Sequence, residues 1–172
     1  IALFDHEEIG SRTKQGAGSA LLTAVMEKIC LSFGYTEEDC LNSRLKSFFL
    51  SVDVGHGKHP SHPEKSDVTN QVRLNGGVAL KAESNQKYAT DGEAFGAVRS
   101  LCDQYGIPYQ LFANRSDVGS GSTLGSISSS FTVMPTAEVG VPLLAMHSAR
   151  ELMGVEDQKA LTELLTRFWA EP

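Results

Sequence analysis

Phe4-Asp5-His6-Glu7-Glu8-Ile9-Gly10-Ser11 is the stretch on which the reading of this chain turns. The apolar run Ile1-Ala2-Leu3-Phe4 leads straight into Asp5, His6 and two adjacent glutamates, and a glycine marks the turn that follows. An apolar run that stops at carboxylates is expected to be a buried strand delivering acidic side chains to its C-terminal end. In open α/β sheets that end is where ligands bind. Two neighbouring glutamates repel each other, so a shared proton or a positive partner must offset them. A divalent metal is one such partner, with one glutamate as ligand and the other handling protons. The alternative is an acidic turn on a solvated loop, because most carboxylates are surface groups.

The whole composition sets the frame. At 172 residues, 41% hydrophobic and 21% charged, the chain is long enough for one domain with a sizeable core. A net charge of −6 weighs against a nucleic-acid partner. No apolar run approaches the roughly 20 residues of a membrane span, and no signal-like N-terminus is present. The first residue is Ile1, inside an expected strand, which reads as a piece of a longer polypeptide. The three cysteines, Cys30, Cys40 and Cys102, have no CxxC spacing. They are expected to be reduced thiols of a cytoplasmic protein, not a structural zinc site.

Downstream, Gly16 to Phe33 has helical periodicity after a small-residue entry, and Gly34 is its stop. Tyr35 to Arg44 is polar, a loop or a short helix. Leu45 to Val54 is expected to be a second buried strand ending on Asp53, followed by a loop carrying His56, His59 and His62. Two prolines and two glycines forbid a regular helix there, so those histidines need not share a face. They read as metal or anion binders or as solvated loop residues. Gly76 to Ala82 is a short strand whose Lys81 is either a surface charge or a reader of a substrate anion. Asp91 to Tyr105 is a helix stopped by Gly106, and Pro108 to Ala113 a strand. The Asn114 to Gly125 loop lacks the Walker spacing and its lysine, yet its N–H groups can line a site. Phe131 to Met134 and Ala137 to Val139 are expected to be strands. Gly140 to Ser148 is an apolar run ending in His147, and Arg150 to Gly154 and Glu156 to Trp169 are expected to be helical.

Strands alternating with helices predict an α/β fold: a three-layer arrangement with a mostly parallel central sheet and helices on both faces. Glu7, Glu8, Asp53 and His147 each follow a strand-like run, and such a fold can gather strand ends. Carboxylates with an imidazole suit Zn²⁺ or another divalent transition ion and metal-assisted hydrolysis.

Three segments carry a specific resemblance. The Glu7-Glu8 stretch with Gln15-Gly16-Ala17, the segment Asp53 to Pro60, and Leu144 to Glu151 resemble, in order, motifs of the aspartyl aminopeptidase family. The resemblance covers essentially the whole chain and points to a bacterial member. It implies a zinc-exopeptidase-like fold, with this chain the C-terminal part of the catalytic domain. It also implies release of N-terminal Asp or Glu from peptides, two Zn²⁺ ions (or Mn²⁺ or Co²⁺), and a homo-oligomer, a tetrahedral dodecamer. Carried onto this sequence, it makes Glu7 the general base and Glu8, Asp53 and His147 metal ligands. Lys81 becomes the reader of the acidic substrate side chain, and His56 a neighbour of substrate.

The family's upstream histidine and bridging aspartate, and its inserted dimerisation domain, have no counterpart here. The chain alone is therefore expected to hold about half a two-metal site and to show little or no activity. Two other readings stand: a carboxylate-pair glycosidase using Glu7 or Glu8 with Asp53, and a non-catalytic scaffold module of the same fold.

Overall fold

The apolar run before Gly55 forms a strand, β1 (Phe49–His56), in the computed structural model, which describes residues 1–119 and 121–171. The other strands are β2 (Val78–Lys81), β3 (Tyr109–Phe112), β4 (Thr136–Leu144) and β5 (Leu152–Met153). The helices are α1 (Leu21–Ser32), α2 (Glu37–Leu45), α3 (Gly92–Tyr105), α4 (Leu124–Thr132) and α5 (Val155–Ala170). Strand order is β1-β4-β2-β3, with β5 paired to β4. The sheet is mixed: β1 runs parallel to β4 and β2 parallel to β3, while β2 and β5 are antiparallel to β4. The α/β class and the helices on both faces are as expected; the antiparallel β2–β4 junction is what the pattern did not show.

Strand alternation gives the sheet two chemically different faces. Leu80 pairs with Val139, and these two join the core formed with Val98 and Cys102 of α3 and Leu161 and Leu164 of α5. The residues between them point to the opposite face. There Lys81 pairs with Glu138, and Ala79 and Asp53 both pair with Gly140. Helix α4 packs on this second face, against β1 and β4. One face is thus a hydrophobic core, and the other buries charge.

Helix ends follow local chemistry. Thr36 and Asp39 form a capping box at the start of α2. The Asp91 side chain accepts the Ala94 N–H at 2.8 Å at the start of α3, and Gly106 closes that helix in the left-handed region. Asp157, fully buried near the start of α5, accepts the N–H groups of Asn75 and Gly77, each at 2.7 Å. That carboxylate fixes the turn that feeds β2.

Three expectations are corrected. Ile1–Phe4 is not a buried strand: Ile1 is 98% and Leu3 92% exposed, and no described strand pairs with them. Phe131 and Thr132 finish α4 instead of starting a strand. The hydroxyls of Ser126, Ser129, Ser130 and Thr132 bond back to carbonyls one turn earlier, so the serine run is satisfied as a helix. Leu152–Met153 is a strand and not a helix, because it covers the end of β4 at Leu143 and Leu144. Tyr35 to Arg44, open between a loop and a short helix, is mostly the short helix α2.

Leu164 has no exposed surface in the core between α5 and the sheet. Leu164→Ala is expected to lower unfolding free energy by about 2–5 kcal/mol in urea titrations, the usual cost of a large core deletion. A loss below about 1 kcal/mol would mean that this core collapses around the gap.

Candidate active site

The two glutamates stand on one tight turn. Glu7–Ile9 is a single turn of 3-10 helix, bracketed by His6 (φ 61°) and Gly10 (φ 100°), both left-handed. Asp5 donates its N–H to the Gln15 carbonyl, and His6 Nδ1 lies 2.8 Å from the Thr13 hydroxyl. Ser11 is buried, and Gly16 is required beside it: a Cβ there would lie 2.2 Å from the Ser11 carbonyl oxygen. So a folded loop presents Glu7 and Glu8, not the end of a strand.

His147 reaches the same place from the far end of β4. The chain leaves the strand through Ala145 (φ 57°) and His147 (φ 67°), and the His147 N–H is held by the Glu151 carboxylate. Its Nε2 lies 3.1 Å from a Glu8 carboxylate oxygen. Two non-glycine residues in the left-handed region within one turn are a strained way to place a side chain, and such strain collects at functional positions.

Asp53 sits within β1, which continues to His56, so His56 ends the strand instead of opening the loop. Lys81 Nζ donates to Asp53 Oδ2 at 3.1 Å and lies 5.4 Å from the centre of the Tyr88 ring. The Lys81 side chain is 2% exposed and that of Asp53 31%. Gly140 makes the crossing possible, since a Cβ there would lie 2.9 Å from Lys81 Cε. Tyr88 accepts from the Asn114 side-chain amide at 3.0 Å and packs edge-on to Phe112.

These side chains converge on one cleft of about 690 Å³, lined by Glu7, Glu8, Asp53, His56, Lys81 and His147 among others. All six residues singled out from the sequence therefore line one cleft. His59 and His62 also line it, with ring centroids 5.3 Å apart and His62 paired with Glu64. Gly119, Gly121, Ser122 and Thr123 line it as well; Ser120 of that loop lies outside the described residues. Burial, then the charges of Glu8 and Asp53, raise the Glu7 carboxyl above its ordinary value, and His147 and Lys81 oppose them. Desolvation, then the charges of His147 and Lys81, hold the His56 imidazole below its ordinary value.

Sequence reasoning missed Glu138. It is 1% exposed and sits in the apolar strand Ala137-Glu138-Val139. Its carboxylate accepts the Ala89 N–H at 2.6 Å and the Thr123 hydroxyl. The signal was present as a lone carboxylate between apolar residues in a run predicted to be strand. Burial pushes its carboxyl up to about 7, against the lowering effect of the Ala89 N–H and Lys81.

Zinc is held by three or four protein ligands at about 2.0–2.3 Å. Glu8 and His147 aim two suitable donors at one point, but among the described residues no group of three His, Cys, Asp or Glu side chains forms a metal site. The donors present fit part of a zinc shell and not a whole one.

Paired carboxylates and an imidazole around a cleft, on an α/β sheet, are the donor set of the metallopeptidase class. The chain belongs to the M18 family: residues 1–169 match the family described as Aminopeptidase I zinc metalloprotease. A Clostridium novyi protein named probable M18 family aminopeptidase 2 is 45% identical over 169 residues, covering 98% of this chain and 39% of that relative. The Mycobacterium tuberculosis protein of the same name is 42% identical over 168 residues, with the same coverage of 98% and 39%. The mApe1 dodecamer of S. cerevisiae superimposes with a TM-score of 0.85 at 31% identity, over 98% of this chain and 37% of that one. The chain thus spans about two-fifths of the length of these relatives. Membership in a metallopeptidase family sets aside the glycosidase reading. Among the described residues no helix is long and apolar enough to cross a membrane.

A raised carboxyl gives a test by pH. The folded state holds the Glu138 proton up to about 7, whereas the ordinary value is 4.5. The folded form therefore binds more protons between those values, and stability falls as pH rises through that window. Unfolding midpoints of wild type and Glu138→Gln at pH 5 and pH 8 are expected to show a larger loss in wild type than in the variant, which keeps only the smaller contribution of the raised Glu7. An equal loss in both would place the ionisation elsewhere.

Proposed function

We propose that the protein to which this chain belongs is a metal-dependent aminopeptidase that releases acidic residues from peptide N-termini, and that the chain is the C-terminal part of its catalytic domain. The observation that carries this reading is the 3.1 Å contact of His147 with Glu8, with Glu7 on the same turn and Lys81 lining the same cleft. Glu8 and His147 would hold one ion, and Asp53 the other through the oxygen that Lys81 leaves free. The remaining ligands come from residues outside these 172, in line with a chain that spans about two-fifths of its relatives. Bound zinc, or Mn²⁺ or Co²⁺ in its place, polarises a carbonyl and acidifies water.

Glu7 is the general base. A carboxyl held above its ordinary range by burial and by its acidic neighbours takes a proton from water near neutral pH and passes it to the leaving amine. Lys81 reads the acidic side chain. Its ammonium is desolvated, so a carboxylate brought to it interacts far more strongly than in water. His56 lines the same cleft and shapes the path of the peptide. The mApe1 relative is a dodecamer by its description, and we extend a homo-oligomeric assembly, with a dodecamer as the form, to this protein. Three free cysteines fit a cytoplasmic location.

Assays on the intact protein with a peptide bearing N-terminal Asp test the roles. Glu7→Gln is expected to lower kcat by about 10²–10⁴ with metal content unchanged, the usual worth of a general base. Retention of more than a tenth of wild-type kcat would remove Glu7 from that role. Rapid turnover by the 172-residue chain alone would overturn the need for outside ligands.

A further inference from the structure

We infer that Glu138 is a positioning residue for the Lys81 pocket: its buried carboxylate ties together the two segments that wall the pocket and so sets the preference for an acidic substrate side chain. The inference rests on the function proposed above and extends it to a residue that touches neither substrate nor metal.

The geometry is specific. Glu138 is the register neighbour of Lys81 across the antiparallel β2–β4 pair, on the same sheet face. One carboxylate oxygen takes the Ala89 N–H at 2.6 Å, and the other takes the Thr123 hydroxyl. The Ser126 N–H, in the first turn of α4, adds to the same group. The Glu138 backbone N–H bonds the Thr90 hydroxyl oxygen at 2.8 Å. So one residue holds 89–90 on one side and 123–126 on the other.

Both segments reach the cleft. Immediately before Ala89 stands Tyr88, whose ring lies 5.4 Å from the Lys81 ammonium. Thr123 and Tyr88 both line the cleft. Gly125 leaves the space the carboxylate needs, because a Cβ there would lie 2.6 Å from the Glu138 carboxyl carbon. A hydrophobic residue at 138 would fill this strand position as well as its neighbours do. A carboxylate is costly when buried, and it is stabilised here by donors from the two walls and by the charge of Lys81. Without it, Tyr88 and Thr123 have no common anchor, and the pocket around Lys81 widens.

Steady-state kinetics on the intact enzyme test this with peptides bearing N-terminal Asp or N-terminal Ala. Glu138→Gln keeps the shape but cannot accept from both walls. It is expected to raise KM for the Asp peptide about tenfold while kcat stays within about twofold, a size typical of losing a charged hydrogen bond. KM for the Ala peptide is expected to stay unchanged, so discrimination falls. Thr123→Val, which removes one donor at the cleft edge, is expected to shift the same parameter by a smaller factor. It serves also if Glu138→Gln does not fold. Equal losses on both peptides, or losses confined to kcat, would overturn the inference. So would an Asp preference intact in Thr123→Val. A wild-type enzyme indifferent to acidic N-termini would overturn the function proposed above, and this inference with it.

Discussion

A buried ammonium is the constraint around which the second face of the sheet is organised. Lys81 is 1% exposed, and an unpaired charge at that depth would be untenable. Its neutralisation needs Asp53 on a strand two positions away in the sheet, with β4 between them. Only glycine at position 140 lets the lysine side chain cross that strand, with Asp53 paired to Gly140 on the far side. The antiparallel β2–β4 pairing, the parallel β1–β4 pairing and the missing side chain at position 140 are thus one device. Tyr88 and Phe112 close over it. The hydrophobic face, with Leu80, Val139 and Leu164, supplies the stability that allows the other face to hold charge.

The same partition explains what the sequence made legible. Strands β1 to β4 and helices α3 and α5 are continuous apolar runs or amphipathic repeats with clear stops, and their positions follow from period and punctuation. Asp53 and His147 were visible because each interrupts or ends an apolar run. The Glu7-Glu8 turn was visible as chemistry but not as structure. Its shape depends on left-handed His6 and on Gly16 packing against Ser11, backbone fits that hydrophobic periodicity does not encode. The end of α4 at Phe131 and Thr132 was misread as strand because the serines before it, whose hydroxyls satisfy themselves on helix carbonyls, carry no helical signal. Glu138 was overlooked because a single carboxylate in a strand has meaning only once its donors, from residues 89 and 123, are known.

One site with one incomplete part emerges. The proton-handling and substrate-reading side chains are in place and share a cleft. The metal-holding set is partial, with Glu8 and His147 turned toward each other. Helix α1 has no buried residue, and Leu21, Val25 and Ile29 on it are each between 44% and 51% exposed. A catalytic centre assembled from separate lengths of chain is a natural outcome of an α/β sheet, where strand ends distant in sequence meet at one edge. Here the acidic turn and the histidine, 139 residues apart by number, supply facing donors.

The central claim is that this facing pair is part of a metal centre. Anomalous diffraction at the zinc edge from crystals of the intact protein tests it most directly. The account predicts a zinc peak about 2 Å from both the Glu8 carboxylate and the His147 imidazole, the ordinary ligand distance. Zinc bound elsewhere, with Glu8 and His147 still bonded to each other, would contradict it.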